Sequence, residues 1–184
     1  VQIADEEVMA QVQGGNLDRM SLLFDRYQTP LYQFFRRNGM DAAASEDLVQ
    51  EVFVRVMRFR STYRSGAAFR AWLYQIARNT RIDYLRRAVR ETSVEDNFGD
   101  TFTTDAGVDA ALEADDQARV LRAALARLPE RKREVLLLSR YQGLKYKEIA
   151  ELMGCDVNTI KVRIHRSVQE LREVFLQLSE GGVR

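Results

Sequence analysis

From Glu91 to Ala118 the chain carries nine acidic side chains and no lysine or arginine. Basic blocks flank this stretch: residues 1–90 sum to +4 and residues 119–184 to +6, against −9 between them. The formal net charge of +1 hides that partition. Acids, Thr and Gly with few large apolar side chains bury too little surface to offset the entropy of ordering, so a flexible connector is expected here. Its acids either keep a tether extended or imitate the charge of a nucleic acid and shield the basic blocks. One core spanning all 184 residues is therefore not expected. The expectation is two small domains, residues 1–91 and 109–184, joined by an acidic linker over 92–108. Their charge suits polyanion binding.

Both blocks read as helix, and no strand pattern of any length occurs, so the fold class is all-α. Asp5 to Val12 is a short helix stopped by Gly14-Gly15. Asn16 is placed to cap a longer helix in which Leu17, Met20, Leu23, Phe24, Tyr27, Leu31, Phe34 and Phe35 keep helical spacing. Pro30 is a place for a bend, and Gly39 closes the segment. Ser45 is expected to cap the next helix, EDLVQEVFVRVMRFR, with acids in its first turn and arginines in its last, as the helix dipole prefers. Leu48, Val52, Val56 and Phe59 make its inward stripe, while Asp47, Gln50, Glu51, Val54 and Arg58 fall together on the other side. An acidic first half on a basic domain does not suit nucleic acid. It suits plain solvated surface or a docking face for another protein.

The loop Ser61 to Ala68 leads into FRAWLYQIARNTRIDYLRR, residues 69–87. One continuous helix would gather Phe69, Trp72, Leu73, Ile76, Ala77, Thr80 and Tyr84 on one side. Arg70, Tyr74, Arg78 and Arg81 would share the other, with Gln75, Asn79, Ile82 and Arg86 along a flank. Guanidinium groups interleaved with an aromatic and amides suit phosphates plus unstacked bases. The same arginines would serve equally well as a solubilising face. Trp72 taken alone reads as a core anchor before a stacking platform.

In the second block one helix ends at Leu128-Pro129 and another covers Glu130 to Tyr141. Then comes LKYKEIAELMGCDVNTIKVRIHRSVQEL, residues 144–171, which reads as a short helix, a sharp turn and a basic helix. Gly154 is suited to the left-handed conformation that ends the first helix, and Asp156 to capping the second. Ile160, Ile164, Val168 and Leu171 line one side of that second helix. Asn158, Thr159, Val162, His165, Arg166 and Gln169 lie opposite, flanked by Lys161 and Arg163. The helix runs on, with Leu171, Val174, Phe175 and Leu178 packing back on the domain. Amide, hydroxyl and guanidinium groups at the N-terminal end of a supported helix suit major-groove readout. A solvated face on an ordinary helical hairpin has the same pattern, and helix-turn-helix patterns also arise by chance.

Other classes are disfavoured by composition. Cys155 is the only cysteine and His165 the only histidine, which leaves no internal disulfide and no zinc site of Cys and His ligands. A Ser-His-Asp triad would have to use a histidine amid the basic helix. A lone cysteine fits a reducing cytoplasm, and Cys155 reads as a small buried residue before an oxidant sensor. No apolar run approaches the ~20 residues needed to cross a bilayer, and the acidic start VQIADEEVMAQ is no secretory signal. Opening on Val1 instead of Met suggests a trimmed start.

Taken in order, SEDLVQEVFVRV, FRAWLYQIARNTRIDYLRR and LPERKREVLLLSRYQGLKYKEIAELMGCDVNTIKVRIHRS resemble the extracytoplasmic-function (ECF) group of bacterial sigma factors. The resemblance covers nearly the whole chain. It implies a promoter-specificity subunit without catalytic residues or cofactors, which binds core RNA polymerase through the β′ clamp and the β flap. Promoter DNA, both as duplex and as melted non-template strand, and an anti-sigma factor are the other implied partners. A stress or envelope-response regulon is implied, and a cytoplasmic location, near the membrane where the anti-sigma factor holds it there. The resemblance assigns core binding to Asp47, Gln50 and Glu51, with Phe53 and Met57 beside them. It places Asn79 in the pocket for a flipped base of the minus-ten element, and Ser61 to Ala68 in the loop that sets that base's identity.

Arg70, Arg78, Arg81 and Arg86 join the minus-ten surface through the helical-face argument, together with Trp72 and Tyr74. For the minus-thirty-five element the resemblance points to Lys161, Val162, His165 and Arg166. The face argument adds Asn158 and Thr159, with Lys161 and Arg163 as flanking phosphate contacts. Val162 stands where the family often has a serine, which exchanges a polar contact for an apolar one with a thymine methyl. Three rivals fit less well. A one-component helix-turn-helix regulator needs a sensory pocket in residues 1–90, an adaptor does not need the bias to arginine over lysine, and an enzyme needs a constellation the chain lacks.

Overall fold

A computed structural model of the protein describes residues 3–92 and 116–181. Among the described residues there are helices and turns and no strand, so the fold class is all-α. The acidic linker expected over 92–108 lies outside them apart from Thr92, as does the expected start of the second domain at 109. The described residues divide into two compact units, residues 3–35 with 42–92 and residues 36–41 with 116–181.

The first unit is built on α1 (Asp5–Gln13), α2 (Met20–Arg37), α3 (Ala42–Phe59) and α4 (Phe69–Thr92). Val8, Met9 and Val12 of α1, Leu23, Leu31 and Phe34 of α2, Val52 and Val56 of α3, and Phe69, Leu73 and Ala77 of α4 are all buried. Edge-on rings lock the joints, Tyr27 to Phe69 at 5.5 Å and Phe34 to Tyr74 at 5.3 Å. The Asp5 carboxylate accepts from Arg26 and from the Tyr27 hydroxyl, tying α1 to α2. Burial, reinforced by that carboxylate, pushes the Tyr27 hydroxyl up to about 12.

Ser45 is not the cap: α3 begins at Ala42, four residues before Glu46, because Ala42 to Ala44 are good helix formers, and Ser45 is buried within it. Asn16 makes no side-chain cap, because a 3₁₀ turn, Leu17–Arg19, intervenes before α2. Phe59 is exposed at the end of α3, whereas Val49 and Phe53 join its buried side. The reason is that α3 packs against two neighbours, Phe53 meeting Phe24 of α2 at 4.9 Å while Arg55 reaches Asp83 of α4. α4 is enclosed more widely still. Tyr74 and Arg81, expected on an outward face, are 0% and 2% exposed.

The second unit consists of α5 (Asp116–Arg127), α6 (Glu130–Leu136), α7 (Tyr146–Met153) and α8 (Val157–Gly181). Proline ends α5 as expected. The helix expected over Glu130 to Tyr141 widens after Leu136 into a π turn, Leu137–Tyr141, which keeps Leu137 and Leu138 buried. On α8 the buried seam is Ile160, Ile164 and Ser167, and Val168 is exposed. At about 100° per residue, position 167 returns to within roughly 20° of Ile160 whereas 168 drifts to about 80°. The Ser167 hydroxyl satisfies itself by donating to the Arg163 carbonyl at 2.7 Å.

Candidate nucleic-acid interface

The turn between α7 and α8 is chemically over-determined. The Glu148 carboxylate accepts from the Lys145 N–H at 2.7 Å, fixing the start of α7. Gly154, at φ 64°, ends it in the left-handed region, and the Cys155 N–H returns to the Ala150 carbonyl at 3.0 Å. Cys155 itself is half-buried, more open than expected. The Asp156 carboxylate then accepts from the Thr159 N–H at 2.8 Å and from the Thr159 hydroxyl, starting α8. Those Thr159 bonds hold the Asp156 carboxyl below its ordinary range. A depressed folded-state pKa means that the cap's contribution is complete above the unfolded value near 4 and is lost as pH falls through the folded one. Asp156→Ala is expected to lower the helix signal at neutral pH and to flatten its acid limb. Circular dichroism against pH measures this; an acid limb identical to that of the parent would refute the cap.

With its start fixed, α8 presents Asn158, Val162, His165 and Arg166 to solvent along one face, with Lys161 at its edge. Val162 is 49% exposed on that face. Two expected contacts are committed elsewhere. Thr159 spends its hydroxyl proton on Asp156, and Arg163 is half-buried with Nη1 directed at the Met153 sulfur, 3.8 Å away. Beside this face the first turn of α6 contributes Arg131 and Lys132, and the two helices enclose an open concavity of about 590 Å³. Lys132 also pairs with Glu170. Neither Arg131 nor Lys132 is among the residues expected at this surface. The signal was the ERKRE run directly after Pro129, where a proline-started helix turns its first residues outward.

On the first unit, the exposed strip of α4 is the one expected only as a flank. Gln75, Asn79 and Arg86 are exposed along it, and Trp72 is half-buried at its start, edge-on to Tyr63 at 5.3 Å. Arg78 is half-buried, and Arg70 is engaged with the Tyr27 hydroxyl. The loop before α4 ends in a tight turn from Arg64 to Ala67, closed by the Ala67 N–H on the Arg64 carbonyl at 3.0 Å. Gly66, its third residue, sits at φ 83°, a conformation glycine takes at no steric cost. On α3, Asp47, Gln50, Val54 and Arg58 form an exposed face. Glu51 borders it, but its carboxylate is held by Arg55 at 2.7 Å, whose second nitrogen is 2.7 Å from Asp83. Phe53 is buried and Met57 half-buried, so Phe53 does not join that surface as expected.

Residues 23–91 match the family model of Sigma-70 region 2, and residues 118–171 that of Sigma-70, region 4. The chain is 30% identical over 183 residues to the RNA polymerase sigma-H factor of Pseudomonas aeruginosa, covering 95% of each chain. It is 31% identical over 179 residues to the ECF RNA polymerase sigma-E factor of Haemophilus influenzae, covering 90% of this chain and 92% of the relative. Among solved structures it resembles CnrH in complex with the cytosolic domain of CnrY, at TM-score 0.70 and 27% identity, over 94% of this chain and 97% of that one. The Bartonella quintana sigma factor RpoE, solved with the anti-sigma factor NepR, shares the fold at TM-score 0.71 and 23% identity, over 84% of this chain and 94% of that one. Two helical units matching regions 2 and 4, and full-length relatives at this identity, make the chain a member of the ECF group of RNA polymerase sigma factors, non-catalytic subunits of transcription initiation.

Proposed function

We propose that this sigma factor docks on core polymerase through the exposed face of α3 and reads promoters with two separate surfaces. The exposed strip of α4 and the loop before it would hold melted non-template strand of the minus-ten element. The N-terminal face of α8 would enter the major groove at the minus-thirty-five element. The observation that carries this reading is the run of exposed Asn158, Val162, His165 and Arg166 on a helix whose start is fixed by Asp156 and Gly154. Asn158 and Arg166 offer amide and guanidinium groups to base edges, and Val162 an apolar contact for a thymine methyl. Arg131 and Lys132, across the concavity, are positioned for phosphates, as is Lys161 at the edge of the face.

The minus-ten role rests on Asn79 and Gln75 sharing a strip with Arg86 and Trp72, so that amides for a base edge sit between a cation and an aromatic edge. An extruded base costs a few kcal/mol of lost stacking, which such contacts offset. Control by an anti-sigma factor is part of the proposal, supported by the likeness to CnrH, itself solved bound to the cytosolic domain of CnrY. No helix among the described residues is long and apolar enough to cross a membrane.

The test is run-off transcription with core polymerase on a genomic promoter library, where start sites above those of core alone are expected. Their absence would sink the reading. Asp47→Lys, a charge reversal at an exposed position of α3, is expected to weaken core binding roughly 5- to 50-fold, the range of about 1–2.3 kcal/mol for losing a rim charge contact and adding a repulsive one. Thermal stability should be unchanged. Glu51→Lys is the poorer probe, because it also breaks the Glu51–Arg55 ion pair and leaves Arg55 with Asp83 alone.

A further inference from the structure

The loop that the proposed function assigns to base reading is short, exposed and rich in small residues, and such loops are mobile unless something outside them holds their backbone. Here the holder is α1. From its last turn the Gln13 side-chain amide donates to the Tyr63 carbonyl at 2.9 Å and to the Ser61 carbonyl at 3.4 Å, across about fifty residues of sequence. From its first turn the Glu6 carboxylate accepts the Phe69 N–H at 3.0 Å. That N–H is one of the orphan donors at the start of α4, and its cap comes from a different helix instead of from the residue before it. The two contacts therefore grip the loop at its two ends. Between them only Tyr63 turns inward, buried against Phe69 and Trp72, with its hydroxyl donating to the Ala67 carbonyl. The tip from Arg64 to Ala67 is left exposed.

α1 is itself immobilised, since Val8, Met9 and Val12 are wholly buried and Asp5 binds Arg26 and Tyr27. Its polar ends thus form a rigid bracket. We infer that Gln13 and Glu6 are positioning residues for promoter specificity: α1 is a bracket that sets where the 61–68 loop stands relative to Asn79, and so how sharply the extruded base is discriminated. Neither residue touches DNA in this account. Their effect passes through the backbone of the loop, and it concerns selectivity between bases, not overall affinity.

This inference rests on the reading of the loop as a base reader, so the experiment tests the two separately. Holoenzyme made with the full chain is incubated with a random-sequence pool of single-stranded non-template DNA, and bound strands are sequenced. Three variants are compared with the parent. Ser65→Ala at the loop tip asks whether the loop reads a base at all. Gln13→Met keeps the length of the side chain and removes its donors, and Gln13→Lys restores a donor. Gln13→Met removes both bonds, and the loss of even the shorter one is a factor of about three to ten, so the variant should flatten the preference at the loop-read base by at least that factor. Preferences at other positions and the melting temperature should hold, and Gln13→Lys should recover most of the lost selectivity. Should Ser65→Ala shift the preference while Gln13→Met leaves it intact, the bracket is refuted and the reader stands. Should neither change it, the reader falls and the bracket with it. A uniform loss across all positions with Gln13→Met would assign α1 a merely structural role and overturn the inference.

Discussion

Tyr74→Ala is expected to destabilise the first unit by about 3–5 kcal/mol, the cost of emptying a buried aromatic site. The ring is wholly buried on α4 and meets Phe34 edge-on at 5.3 Å. A small domain has only about 5–15 kcal/mol in total, so the variant should unfold at a much lower urea concentration. Trp72, the only tryptophan, lies two residues away and reports this unit by its fluorescence. Asn79→Ala, one and a half turns further along the same helix, should behave in the opposite way. Its side chain is exposed, so stability should stay within about 0.5 kcal/mol. Promoter opening, followed by permanganate reactivity of unpaired thymines, should fall by about 10- to 100-fold, the worth of a paired base contact, with closed-complex affinity little changed. Equal losses of opening and closed binding would remove Asn79 from the base pocket. A Tyr74→Ala protein as stable as the parent would mean that α4 turns a different face inward.

That contrast marks where the sequence was readable and where it was not. Among the described residues periodicity located every long helix, because helix ends there carry real punctuation: Gly14-Gly15, Gly39, Pro129 and Gly154 each stop or start one. The helix-turn-helix was legible to the residue, since a left-handed glycine and a capping aspartate have few alternative uses. Facing on α4 was not. A helical wheel assumes one buried stripe, whereas α1, α2 and α3 all contact this helix, and burial extends around it to Tyr74 and Arg81. An arginine in a helix is scored as surface by any composition argument, so Arg81 was bound to be misplaced. Likewise Ser45 looks like a cap because a serine followed by acids marks a helix start more sharply than the helix propensity of the three alanines before it. The bracket from α1 could not be read at all, because it joins residues nearly fifty or more positions apart through backbone groups that have no sequence signature.

Arg166→Ala and Lys161→Ala are expected to weaken minus-thirty-five binding in distinguishable ways, although they lie within two turns on one helix. Arg166 stands on the outward face with Val162 and Asn158, where a planar guanidinium can address a base edge with two donors. Lys161 is exposed at the edge of that face, where a point charge meets phosphate. Removing the first should cost about 1–3 kcal/mol on duplexes selected by the holoenzyme from a random pool and far less on unselected duplex, so the specificity ratio collapses. Removing the second should weaken selected and unselected duplex alike and reduce the slope of log affinity against log salt by about 0.9. Fluorescence anisotropy across a salt series measures both quantities at once. Val162→Ser provides an internal control, because exchanging an apolar contact for a hydroxyl should move base preference away from thymine at one position without altering the salt slope. If Lys161→Ala changes base preference and Arg166→Ala only the slope, then α8 turns its Lys161 side into the groove, about 140° around the helix from Arg166. In that case Val162→Ser should be silent.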